Sequence, residues 1–377
     1  MVLLAGLSGL VLIAIILWDA FETIILPRRV TRQVRLARLF YRYSWKPWLT
    51  RAQRMRGPSR ESFLSLYGPL SLLLLIIIWA VGLIIGFALL QWALGSALVV
   101  QTGEAGFGTD LYMSGTTFFT LGLGDVTPRT SAARVVTVIE AGTGFGFLAL
   151  VIAYLPVLYQ AFSRREVSIS LLDARAGSPP AAVGLLSRHE QGRERETLGQ
   201  FLHDWERWSA ELLESHLSYP VLAYFRSQHD NQSWLAALTM ILDVCALVLV
   251  GIDDLPAGQA QLTFAMARHA AVDLSQIFDV LPYEPEPERL SLAGLARLRA
   301  ILVETGVQLQ EGSAADQKLR ELRQLYEPYV QALSDRLLLT LPPWIPALDE
   351  HDDWETSVWE STGTPLSRNV EERDGRR

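Results

Sequence analysis

Tyr67 to Leu94 is a run of 28 residues without a single charge, and no other feature of the chain restricts its fold so strongly. At ~1.5 Å per residue such a run crosses ~30 Å of hydrocarbon as a helix with room for tilt, and in water it would need burial on every face. Two further runs resemble it. Val2 to Trp18 carries no charge, and Val135 to Phe162 carries one, Glu140. The first run lacks a basic leader and a small-residue cleavage site and is followed at once by Asp19 and Glu22, so it is expected to be a helix and not a signal peptide. Three spans are therefore expected.

Charge gives them a direction. Up to Arg165 there are 15 Lys and Arg against 7 Asp and Glu; beyond it there are 18 against 33. Eleven of the basic residues lie between Arg28 and Arg60, opposed only by Glu61. By the positive-inside rule this linker is cytoplasmic, with the N-terminus outside, Gly95 to Arg134 outside and the C-terminal half inside a cell (plasma) membrane. A basic apolar half suits a lipid bilayer with anionic lipid at the linker, and an acidic half argues against nucleic acid as a partner. Cys245 is the only cysteine, which excludes an intrachain disulfide and a cysteine metal cluster. Arg29, Arg32, Arg35 and Arg38 recur every third residue, but a voltage sensor would need more helices before them than one span supplies. A helix lying along the membrane surface is expected there, with Asp19 and Glu22 paired to the basic cluster or to water.

The external segment is patterned. Thr109 to Phe119 reads as a helix of about eleven residues, capped by Thr109 or Asp110, whose Leu111, Tyr112, Phe118 and Phe119 need burial. It reaches only ~16 Å, half a bilayer, so the chain must enter the membrane and return. The return falls on Thr120-Leu121-Gly122-Leu123-Gly124-Asp125, where glycine at alternate positions permits a backbone that aims successive carbonyls the same way. Irregular backbone at membrane depth is tolerated only if buried in protein or lining a water or ion path.

The string from Leu111-Tyr112, Ser114 and Thr117 through Thr120-Leu121-Gly122-Leu123-Gly124-Asp125-Val126-Thr127-Pro128 resembles the pore signature of the potassium-channel family, two-transmembrane pore-loop type. The resemblance runs from Leu66 to Arg165 and takes in Arg134, Gly142, Gly144 and Gly146 of an inner helix. It implies a homotetramer that conducts K+ passively, with no enzyme activity, no cofactor and no metal beyond the permeant ion. The implied ion ligands are the carbonyls of Thr120, Leu121, Gly122, Leu123 and Gly124 with the Thr120 hydroxyl, and Asp125 stands at the outer mouth. Leu123 replaces the family's usual Tyr and Phe119 a usual Thr, which removes bracing hydrogen bonds and bears on selectivity.

In the third span Gly144 is open to two readings, close helix packing or a hinge. Pro156 frees one carbonyl and would kink the helix, with Tyr154, Leu155, Leu158 and Tyr159 near a constriction. Glu140 either faces a cavity and attracts cations or, as preferred, braces the pore helix through Thr116 or Thr117.

Beyond a linker at Gly177 to Pro180 the chain reads as helices, at Leu198–Leu217, Trp234–Val250, Ala260–Leu281, Glu288–Gln310 and Ala315–Leu339. Trp234–Val250 is apolar enough for a fourth span, but its length and central Asp243 suit the core of a bundle better. His216, His229-Asp230 and Asp273 follow the order of a helical metal-dependent phosphohydrolase only loosely, and scattered histidines on amphipathic helices are expected at helix interfaces instead. The expected fold is an all-α membrane protein. It comprises an N-terminal helix (1–27), a basic linker (28–65), a pore domain (66–165) with re-entrant helix and filter loop, a cytoplasmic helical bundle (166–348) and a disordered tail (349–377). Two alternatives remain: a weakly selective monovalent cation channel of the same fold, and a membrane-anchored helical sensor or enzyme with a vestigial pore.

Overall fold

The computed structural model describes residues 2–26, 35–100, 105–191, 195–228, 231–252, 255 and 257–346. Arg28, Arg29 and Arg32 of the basic linker, the His229-Asp230 pair and the expected tail at 349–377 lie outside these. The protein is an all-α membrane protein in two compact units, Met1–Phe162 with Leu217–Phe225, and Ser163–His216 with Arg226–Arg377.

In the first unit α1 (Val2–Ala20) ends in a single π turn, Phe21–Ile25. Helices α2 (Leu36–Ala52) and α3 (Pro58–Ser65) follow, then α4 (Tyr67–Ala93), a half-length α5 (Phe107–Phe118) and the long α6 (Ser131–Ala176), which belongs to this unit as far as Phe162. Helices α1 and α4 run antiparallel and meet through glycine. A Cβ built on Gly9 would lie 2.6 Å from the Gly86 carbonyl, and one on Gly86 would lie 2.6 Å from Ile13, so only hydrogen at both positions allows this approach. Ile13, Ile16, Leu75, Trp79, Leu83 and Phe87 fill the seam.

At the end of α1 the buried Asp19 carboxylate accepts the Ala37 amide (3.1 and 3.2 Å) and the Trp79 indole N–H (3.0 Å). It thus supplies from another helix the N-terminal cap that the extended Arg35 does not give α2. Glu22 pairs with Arg35 at 3.4 Å and accepts from Trp18, as expected of an acid beside the basic cluster. Arg35 is extended and precedes α2, whereas Arg38 lies in its first turn, so these two do not share a helix.

Nine residues from the C-terminal half join this first unit, which the amino-acid order does not announce. Leu217–Phe225 contains a 3-10 turn, Pro220–Tyr224, whose Val221 and Leu222 are buried against Leu72, Tyr154, Leu158 and Ala161. Tyr224 closes an aromatic cluster with Tyr41, Trp45 and Tyr67 at centroid distances of 5.0 to 5.8 Å.

The second unit is built around α9 (Trp234–Gly251), in which only Leu249 and Gly251 escape full burial. Around it lie α7 (Ala182–Gln191), α8 (Arg195–Ser218), α10 (Ala257–Ile277), α11 (Leu292–Glu304), α12 (Ser313–Gln324) and α13 (Glu327–Leu337). The helix expected over Ala315–Leu339 is two, because Pro328 has no N–H to continue a helix and sits where a new one starts. That expected over Glu288–Gln310 is shorter and stops before Gly306, whose φ is +91°. The third apolar run continues as helix to Ala176 and stops at Gly177, φ +87°.

The partners of Asp243 in the middle of α9 explain how an acid can sit there. Arg289 contacts both its oxygens (3.1 and 2.8 Å), Tyr326 donates at 2.5 Å, and Arg289 also reaches Glu327 at 3.1 Å. Burial pulls the Arg289 guanidinium down, but the Asp243 charge and hydrogen bonds outweigh it and hold it above its ordinary range. Replacing Arg289 by Met leaves a buried acid without its counter-charge and is expected to cost ~3–5 kcal/mol. A thermal melt of the purified full chain would show this as a clear fall in midpoint; an unchanged midpoint would contradict it.

Candidate functional site

Between α4 and α6 lies the half-length helix the sequence predicts. Helix α5 is twelve residues, ~18 Å, and starts at Gly106 without a side-chain cap. Neither Thr109 nor Asp110 caps it; Asp110 is turned inward and accepts from Ser96 at 2.6 Å, tying the helix to the end of α4. Its buried face is Asp110, Met113, Ser114 and Phe118, whereas Leu111, Tyr112 and Phe119, expected to be buried, are exposed within one chain.

The helix closes with Thr120 N–H on the Thr117 carbonyl (3.0 Å) and Leu121 N–H on the Thr116 carbonyl (2.8 Å). From there the backbone alternates in hand. Thr120, Gly122 and Gly124 have φ of +57°, +56° and +77°, and neither Leu121 nor Leu123 is left-handed. A chain that alternates left- and right-handed residues turns successive carbonyls to one side, and glycine adopts the left-handed state without steric cost. Thr120 does so at about 1–2 kcal/mol, a local strain of the kind held at functional sites.

Beyond the loop Asp125 is fixed by two bonds, from the Tyr112 hydroxyl (2.9 Å) and from the Val126 amide (3.1 Å). A phenol from α5 thus braces this turn, although position 123 is a leucine. Val126–Pro128 then pairs antiparallel with Leu98–Val100 in a small ribbon that was not expected, since three-residue strands are too short to show alternation.

Behind the loop α6 carries two contacts. A Cβ on Gly144 would fall 2.1 Å from the Phe118 carbonyl, so this glycine is where the end of α5 rests on α6. Glu140 is fully buried and meets Ser114, whose hydroxyl also lies 2.7 Å from the Ile84 carbonyl of α4. The expected partners, Thr116 or Thr117, are not the ones used: the Thr116 hydroxyl bonds the Met113 carbonyl of its own helix (2.9 Å), a local option open to any helical Thr. Nor does Glu140 face open space within the chain, as a cavity charge would. On α4, nearer the outer end, Gln91 bonds the Ala133 carbonyl (3.2 Å) and the Thr137 hydroxyl (3.1 Å) of α6.

Large apolar side chains beside the loop are open to the surroundings of a single chain. Leu121, Leu123, Val138, Phe145 and Ile152 are each exposed by more than 60 %. Helix α6 continues through Pro156 without a break. Tyr154 and Leu158, expected near a constriction, are buried under Leu217–Phe225, while Tyr159 is exposed.

In the second unit no group of His, Cys, Asp or Glu among the described residues is arranged to hold a metal. His216 is buried against Leu212 and Arg165, and burial followed by the Arg165 charge holds its imidazole down at about 3, so it is neutral. His269 and Asp273 are 3.8 Å apart on one helix face, a surface pair.

Comparison with known proteins bears on the same segment. Residues 72–160 match the model of a family described as ion channel. An uncharacterized membrane protein, YdjJ, of Bacillus subtilis (strain 168) is 25% identical over 308 residues, covering 76% of this chain and 83% of the relative. No solved structure matches.

Gly144 gives a test that separates its two readings. Gly144→Ala pushes a methyl into the Phe118 carbonyl and is expected to lower stability by ~1–3 kcal/mol, seen in a thermal melt. A variant with unchanged melting and altered channel opening would favour a hinge instead.

Proposed function

We propose that four copies of this membrane protein, whose residues 72–160 match the ion channel family model, surround an axis and let K+ pass down its gradient. The observation that carries this reading is the alternation of left-handed residues at Thr120, Gly122 and Gly124, placed directly after a half-membrane helix. In this reading the carbonyls of Thr120, Leu121, Gly122, Leu123 and Gly124, with the Thr120 hydroxyl, replace the water a potassium ion gives up. The C-terminal, partially negative end of α5 points its dipole toward the same place. Asp125, held by Tyr112, lines the outer mouth, where one copy per subunit concentrates cations. The exposed Leu121, Leu123, Val138, Phe145 and Ile152 are then the surfaces that neighbouring copies cover.

The surroundings of the pore fit the same reading. The exposed Arg42, Lys46, Arg51, Arg54 and Arg56 of α2 and its connection to α3 lie against anionic headgroups on the cytoplasmic side of the plasma membrane. Gating enters through the cytoplasmic helices. Leu217–Phe225, which begins at the C-terminal end of α8, packs on Tyr154 and Leu158, around Pro156, and in this reading acts as a clip on the inner helix.

A second reading keeps the fold and weakens the selectivity, and the specific observation behind it is Leu123, which offers no hydroxyl to brace the loop from behind. Reversal potentials under opposed potassium and sodium gradients separate the two: a value near the potassium equilibrium supports the first, a value near zero the second. Gly122→Ala forces a Cβ into a left-handed position at about 1–2 kcal/mol and should abolish flux of a potassium surrogate from liposomes while the protein still assembles. Unchanged flux would refute the assignment of the loop. Leu222→Ala, which loosens the clip, is expected to shift open probability several-fold with the potassium-to-sodium ratio intact; a changed ratio would mean the segment acts on the filter instead.

A further inference from the structure

Glu140 lies deep in α6, fully buried, with no ion pair to it among the described residues. Its Oε1 meets the Ser114 hydroxyl and its Oε2 has no hydrogen-bond partner. The Ser114 oxygen is at the same time 2.7 Å from the Ile84 carbonyl. Ile84 lies inside α4, so its carbonyl already accepts one helical N–H and has one lone pair left; it can accept but never donate.

A serine hydroxyl has one hydrogen. If Glu140 were ionised, both neighbours of Ser114 would be acceptors, and one of the two contacts would set oxygen against oxygen with no hydrogen between them. A carboxylic acid removes the conflict. The Glu140 O–H donates to Ser114, and the Ser114 O–H donates to Ile84. The bare Oε2 agrees with this, because a neutral carbonyl oxygen costs far less to leave unpaired in an apolar site than half of a carboxylate.

We infer that Glu140 is held as a neutral carboxylic acid and acts as a positioning residue, the first member of a proton-ordered chain that joins α6 through α5 to α4. It adds no charge to the ion path. The chain grips α5 six residues before Thr120, so the orientation of the half-helix depends on one proton; this consequence rests on the conduction reading above, whereas the protonation state does not. The ionisable groups on the adjoining α5 are engaged elsewhere, Asp110 with Ser96 and Tyr112 with Asp125.

Infrared spectra of the full-length protein in lipid, with its glutamates carbon-13 labelled, test this at neutral pH. We expect a carbonyl band of a protonated carboxylic acid that shifts with the label, disappears in Glu140→Gln and moves in Ser114→Ala, which keeps the acid but removes its acceptor. Loss of carboxylate bands instead of the acid band in Glu140→Gln, or an acid band indifferent to Ser114→Ala, would overturn the inference. Either variant alone decides between the two protonation states if the other fails to assemble. The readout contains no ion flux, so a chain that conducted nothing would still show the band.

Discussion

The organisation of this protein follows from one constraint: peptide groups at membrane depth need partners, and the eight or so residues after α5 cannot find them in a helix. Everything around the loop answers that demand. Helix α5 ends early, its last turn consumes the Thr116 and Thr117 carbonyls, and the chain then alternates in hand through Thr120, Gly122 and Gly124. Among the described residues no backbone N–H donates to the carbonyls of Thr120 to Gly124. In the proposed conduction reading, a cation or water replaces the missing donor, and a demand of the fold becomes the means of function.

The loop is held from three sides, twice by hydrogen bonds and once by close packing. Tyr112 fixes the outer turn by a hydrogen bond to Asp125. Gly144 allows backbone to rest on backbone at Phe118, a contact that any side chain would break. Ser114 joins Glu140 to Ile84 and so sets the rotation of α5 between α4 and α6. Farther away Asp19 couples α1, α2 and α4 by capping a helix it does not belong to. These contacts are specific in direction, which apolar packing among leucines and isoleucines in a membrane is not.

Much of this was legible in the amino-acid order, and the limits have physical reasons. Length without charge marked α1, α4 and the start of α6; alternating glycine marked the loop; and the central acid of α9 pointed to a bundle core, where Arg289 indeed meets it. What could not be read was rotation. Whether Glu140 faces Thr116 or Ser114 depends on a helix phase that no local pattern sets. The clip Leu217–Phe225 was invisible for another reason: beyond the end of α8 it is too short to show periodicity, and its partners lie some sixty to a hundred and eighty positions earlier in the chain. The break before Pro328 was available from the residue itself and was overridden by the apolar spacing on either side.

The central claim is that the oxygens from Thr120 to Gly124 face a shared axis and hold a cation there. A density map of the assembled, full-length protein prepared in a heavy potassium surrogate addresses it most directly. The expected result is four copies around one axis with surrogate density between their Thr120–Gly124 carbonyls. A single copy, or carbonyls turned away from an axis that holds no surrogate, would contradict it.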